Sequence, residues 1–208
     1  MMRHGILNMR SALMAVLVAT LTACSGGEWV TDYPSNLASS ETRNWRVTTV
    51  DVTVPRSLTT TEDNSFAPNA DIVWREEEVG DRYEQVDRII TDAARRGVSK
   101  LRGSRAVVLR IELQTFHALS QRARKRLNSS GVHNVAFIAQ IFDAGSGAAL
   151  TPPSPIRADL LAFVGDQALA AEQQGQTQRV RIVAHVAKVI EGWLGGPDIR
   201  GSFSRRGR

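Results

Sequence analysis

Two histidines and a run of bases are the side chains best able to do chemistry in this 208-residue chain. His117 and His133 flank one connection between two alternating apolar stretches, so antiparallel pairing of those stretches would bring two imidazoles to one sheet end. Two imidazoles begin a transition-metal site, which needs a third and usually a fourth ligand. No carboxylate or thiolate is evident beside them and Asn134 is a poor ligand. The residues therefore point to imidazoles that hydrogen-bond backbone at the loop's edges, with no metal and no cofactor. Arg122, Arg124, Lys125 and Arg126 crowd the same connection. On a membrane-tethered protein they would draw anionic headgroups at ~1 kcal/mol per base, and otherwise they form a solvated helix face.

Catalytic patterns are missing from the sequence. It has no nucleophile elbow, phosphate-binding glycine loop or zinc-protease motif. Gly145-Ser146-Gly147 has the composition of a turn, His185 sits beside an apolar helical stripe, and Glu76-Glu77-Glu78 is a solvated acidic run. A non-enzymatic role is the expectation.

Periodicity supplies the elements that must position these groups. Val50, Val52 and Val54 alternate with Thr49, Asp51 and Thr53 in a first strand starting at Trp45 and ended by Pro55. Ile72-Val73-Trp74 is a short extra strand candidate. Asp81 is an N-cap with Glu84 three residues on, and helical spacing then runs from about 82 to 102, loosened near Gly97. Val107, Leu109, Ile111 and Leu113 give the clearest alternation in the chain. A polar connection over 118–130 with about two helical turns follows, then a strand from His133 to Phe142, a turn at Asp143 to Gly147, and a strand from Ile156 to Val164. Val180, Val183, Val186, Ala187, Ile190 and Leu194 form the stripe of a last helix stopped by Gly195-Gly196-Pro197. The order β-α-β-β-β-α predicts an α+β domain: a mixed sheet of four or five strands with two helices packed on one face.

The amino terminus carries an address. Arg3 and Arg10 precede an apolar run, Ala12 to Thr20, that is too short to cross a bilayer core and ends in small residues. Met9 is an alternative start for the same signal. Cys24 is the only cysteine, so no intrachain disulfide can form. Leu21-Thr22-Ala23-Cys24 resembles the lipobox of bacterial lipoproteins. That resemblance implies cleavage before Cys24, a diacylglycerol thioether on its sulfur and an acyl chain on its amine, which anchor stably where one chain would not. Ser25, where an Asp would signal inner-membrane retention by resemblance to enteric lipoproteins, favours the outer membrane facing the periplasm.

Four segments follow: a signal over 1–23, the acylated cysteine with a flexible tether over 24–44, one α+β domain over 45–195, and a disordered basic tail over 196–208. The net charge of +5 lies in residues 1–23 and 195–208. Residues 24–194 hold 20 bases against 20 acids. A neutral body disfavours nucleic acid, which requires a basic face to displace counterions.

Ala70-Asp71-Ile72-Val73-Trp74, Gly80-Asp81-Arg82-Tyr83, Phe116-His117-Ala118-Leu119, Gly131-Val132-His133-Asn134 and Gly175-Gln176-Thr177-Gln178-Arg179-Val180-Arg181-Ile182 are similar to segments of a family of alphaproteobacterial lipoproteins of unknown function. The likeness spans roughly 45–195. The architecture also resembles small periplasmic lipoproteins that serve as accessory subunits. The expected function is a membrane-anchored, non-catalytic binding or accessory module with an envelope protein or glycan as partner. The alternative is a lipid-binding or transport-accessory protein with an apolar groove between sheet and helices. Replacing Cys24 with Ala is expected to abolish acylation in intact-mass spectra, and globomycin to accumulate precursor. Wild-type protein bearing an unmodified Cys24 would overturn the anchor.

Overall fold

The computed structural model describes residues 28–129 and 131–206. The signal segment and the acyl-acceptor Cys24 lie outside them. Eight strands and five helices occur among the described residues. In chain order they are β1 (Glu28–Asp32), α1 (Ser39–Thr42), β2 (Trp45–Thr53), β3 (Ile72–Val73), α2 (Arg82–Gly97), β4 (Arg105–His117), α3 (Gln121–Arg126), β5 (Gly131–Asp143), β6 (Ser154–Ala158), β7 (Leu160–Ala162), α4 (Gly165–Gln173), α5 (Gln178–Trp193) and β8 (Ser204–Arg206). The α+β class stands, but the sheet is larger than the four or five strands expected, and α1, α3 and α4 add to the two helices.

The sheet runs β2-β4-β5-β6-β1-β8, with β3 on the end of β4 and β7 on the end of β5. β2 and β4 are parallel across α2, whereas β4, β5 and β6 form an antiparallel meander. β4 buries Val107, Leu109, Ile111 and Leu113 on alternate positions. A bulge between Leu113 and Thr115 then shifts the register, so Phe116 continues the buried face and His117 turns to the other. Phe116 meets the edge of Trp74 at 5.7 Å between ring centres.

Asp81 caps α2 by accepting from the amides of Tyr83 and Glu84. The helix buries Val86, Ile89, Ile90, Ala93 and Ala94. α5 packs beside it and buries Val183, Val186, Ala187 and Ile190 of the expected stripe, with Leu194 just past its end, while Val180 is exposed. Ile182, Val189 and Trp193 widen the buried face beyond that stripe.

Two boundaries need correction. Residues 28–44 are not a free tether: β1 pairs with β6 and β8, and Tyr33 is buried where its hydroxyl donates to Asp198 and accepts from the Ile199 amide. Asn36 donates to the Gly192 carbonyl, and the Leu37 amide to that of Trp193. Nor is the basic tail loose through residue 206, because Ser204, Arg205 and Arg206 pair with Val30, Trp29 and Glu28. Both strands are too short to show a period, and each is held by partners over 120 residues distant in sequence.

Gly97 sits where α2 packs tightly against α5. A Cβ there would stand 2.7 Å from the Ala187 carbonyl and 2.9 Å from the Ile190 Cβ. Gly97→Ala, which improves helix propensity, is therefore expected to lower unfolding free energy by about 1–3 kcal/mol in urea titrations, since overpacking outweighs propensity.

Candidate functional site

The hydrogen-bonding demands of three sequence segments build one end of the sheet. Arg82 is buried, and its guanidinium donates to both oxygens of Glu62 at 2.7 and 3.0 Å, to the carbonyls of Glu77 and Glu78, and to Gln85. Tyr83 donates to the Leu58 carbonyl at 2.7 Å. These contacts clamp the long segment after β2 onto α2. The same segment reaches the start of α3, where Ser120 caps the helix and donates to the Ser65 carbonyl, and Asn64 accepts from the Arg122 amide. Phe66, 47% exposed, is thereby held under the Arg122 guanidinium at 4.8 Å.

Beside Phe66 opens a cleft of about 400 Å³. The end of β4 supplies His117, Ala118 and Leu119, the start of β5 supplies Val132 and Asn134, and Leu127 closes one side. Trp29 of β1 and Arg205 and Arg206 of β8 form the opposite rim. Gly131 is required by this geometry, because a Cβ would stand 2.7 Å from the Leu119 side chain. The walls are mainly apolar, with an imidazole, an amide and two guanidinium groups at fixed places, the composition typical of a ligand-binding pocket. Burial holds the His117 imidazole below its usual range.

The two expected imidazole partners part company here. His117 is paired across the ladder with Asn134 and shares its face, whereas His133, the next residue along, buries completely on the helix-facing side. They form no common site. Neither ring nitrogen of His133 meets a partner among the described residues. Burial, with Arg181, Arg124 and His117 nearby, pushes its pKa down to about 3. No group of three potential ligands among His, Cys, Asp and Glu occurs among the described residues.

The basic run is also divided. Arg124 turns inward to pair with Glu172 of α4, while Arg122, Lys125 and Arg126 stay exposed. Arg179, the central base of the last family-like segment, binds Glu77 and Asp92 and its amide donates to Glu76, so much of the acidic run serves as a docking post for α5. His185 reaches Thr31 at 3.1 Å, and Thr31 donates to the Asp159 carbonyl. With that hydroxyl proton committed and Thr31 fully buried, the imidazole acts as donor and the pair has no nucleophilic geometry. Trp29, Phe66, Arg205 and Arg206 were not legible as site residues, though the aromatic Trp29 beside an anchor was a signal.

A family model described as a family of unknown function (DUF6778) matches residues 45–207. Among solved structures, a protein provisionally assigned as a lipoprotein from Caulobacter crescentus CB15 is 20% identical over 53% of this chain and 84% of that one, with a TM-score of 0.34. PelC of Paraburkholderia phytofirmans, crystallised as a dodecamer, is 13% identical in two crystal forms. These cover 79% of this chain and 98% and 97% of theirs, with TM-scores of 0.35 and 0.33. No curated protein matches the chain.

Burial predicts an acid-sensitive fold. His133 and His185, with pKa values near 3 and 4, refuse protons that the unfolded chain binds below about 6.5. Their neutral forms carry full stability above that pH, and it drains as pH falls toward the folded values, at up to about 1.4 kcal/mol per pH unit for each histidine. Urea midpoints from pH 7 to 4.5 are expected to fall accordingly, and His133→Leu to flatten the slope.

Proposed function

The chain belongs to the family of unknown function DUF6778, and from that premise we propose that it is a lipid-anchored envelope protein acting as a non-catalytic binding module, with the cleft at the β4–β5 end as its binding surface. The observation that carries this reading is the convergence on one cleft of two family-like segments, Phe116 to Leu119 and Gly131 to Asn134. Other family-like segments are consumed by the fold. Gly80 to Tyr83 clamps a loop, and Thr177 to Arg181 caps and docks α5. His117, Leu119, Val132 and Asn134 instead present side chains to open space.

The anchored state rests on the lipobox resemblance, and the outer membrane on Ser25. Trp29 lies five residues after Cys24, so an extended backbone spans at most about 17 Å between them and the cleft sits close to the membrane. Its contents favour a protein side-chain cluster or a glycan from the envelope. The alternative lipid carrier would need a groove between sheet and helices. That interface is filled by Trp74, Phe116, Phe137 and Trp193, all fully buried, which supports the binding-module reading over it.

A photo-crosslinking amino acid placed at Leu127 or Val132 in cells is expected to give a discrete adduct that is absent from the same substitution at Val79, which is 77% exposed away from the cleft lining. Identical products from both places, or none from the cleft, would defeat the assignment.

A further inference from the structure

Ten described arginines reach an acid partner. Of the described arginines outside those pairs, which also include Arg43, Arg96, Arg122, Arg126 and Arg181, Arg46, Arg95 and Arg102 line one open groove of about 620 Å³ between the start of β2 and the end of α2. No Asp or Glu lines it. Arg95 sits in the last turn of α2, where the helix dipole welcomes a cation, and Arg46 lies on an edge strand, where charge discourages aggregation. Neither reason applies to Arg102, nor explains why all three converge on a floor of Val47, Val50, Val98 and Leu101.

We propose that this groove is a second binding site, for an anionic oligosaccharide. Guanidinium forks bind carboxylate and phosphate oxygens in pairs, and the apolar floor offers a sugar ring a surface to lie on. Two competing ligands fit less well. An acidic peptide adding to the free edge of β2 would meet the bulge between Val47 and Thr49, which breaks the regular ladder at the groove. Membrane headgroups are remote from it. β2 and β4 pair at Arg46 and Ala106, and eleven residues of β4 separate Ala106 from His117 in the cleft, about 36 Å at 3.3 Å per residue. That is several times the Debye length of about 8–10 Å. This last step rests on the anchored reading; the binding itself does not.

The test is isothermal titration of the full mature protein in nonionic detergent, with hexagalacturonate as probe. Saturable binding is expected, with maltohexaose giving none. Arg46→Gln combined with Arg102→Gln should weaken it at least tenfold with an unchanged melting temperature, and Arg206→Gln in the other cleft should leave it unchanged. The Cys24→Ala chain should bind equally, so failure of the lipid anchor would not disturb the result. Absence of saturable binding, equal binding of maltohexaose or of a ten-residue glutamate peptide, an undiminished double variant, an equal loss in Arg206→Gln, or binding only to phosphatidylglycerol vesicles would each overturn the assignment.

Discussion

A single buried carboxylate holds this architecture together. Asp159 is fully inaccessible and sits in the break between β6 and β7, where a charge without partners would cost several kcal/mol. It accepts from the Val30 amide of β1 at 2.8 Å, from the Val135 amide of β5 at 3.0 Å, from the Asn134 side chain at 2.6 Å and from Arg157 at 3.3 Å. Its own carbonyl takes the Thr31 hydroxyl, which His185 of α5 engages in turn. One residue thereby satisfies donors from two strands that no continuous ladder could pair at that point. It also fixes Asn134 at the cleft, and Trp29 follows from the seating of β1.

The opposite wall has a different origin. The segment from 54 to 71 has almost no regular structure, so its order must come from side chains. Glu62 bridges Arg75 and the buried Arg82, and Asp71 accepts from the amide and hydroxyl of Thr59 at 2.8 and 2.7 Å. Burying Arg82 is tolerable because its donors meet carbonyls and a carboxylate. Phe66 is then held at the mouth of a cleft whose floor is the rigid end of β4 and β5. A mobile loop on an unclamped helix could not present an aromatic ring at a fixed place.

What the sequence revealed follows from the range of the forces involved. The alternation from Val107 to Leu113 and the Asp81 cap are local patterns, and both elements fall where those patterns put them. The bulge in β4 has no local signature, yet it sends His117 and His133 to opposite faces and dissolves the imaginable pair. β1 and β8 were invisible because five and three residues show no period, and their stability comes from each other, β6 and Asp159. Composition misled for the same reason. The stretch from Ser25 to Asn44 is polar enough to read as a tether, but Tyr33 finds a partner in Asp198 that only the folded chain supplies.

Seating β1 in the sheet changes what an anchor at Cys24 would mean. A twenty-residue flexible tether would let the domain sample a wide zone, since a random chain of that length spans ~25 Å on average and far more when stretched. With folded backbone from Glu28 onward, only residues 25–27 intervene, and the contour left is about 10–14 Å. With an anchor at Cys24, so short a connection would hold the Trp29 end of the sheet near the headgroups, while the opposite end of β4 lies some 36 Å farther along the strand. The two ends of the fold then differ: an aromatic-rimmed cleft that also carries Arg205 and Arg206 at the Trp29 end, and an acid-free groove lined by Arg46, Arg95 and Arg102 at the other. The proposed membrane anchor and the proposed oligosaccharide groove would be kept apart by that separation, which the thirteen residues of β4 set.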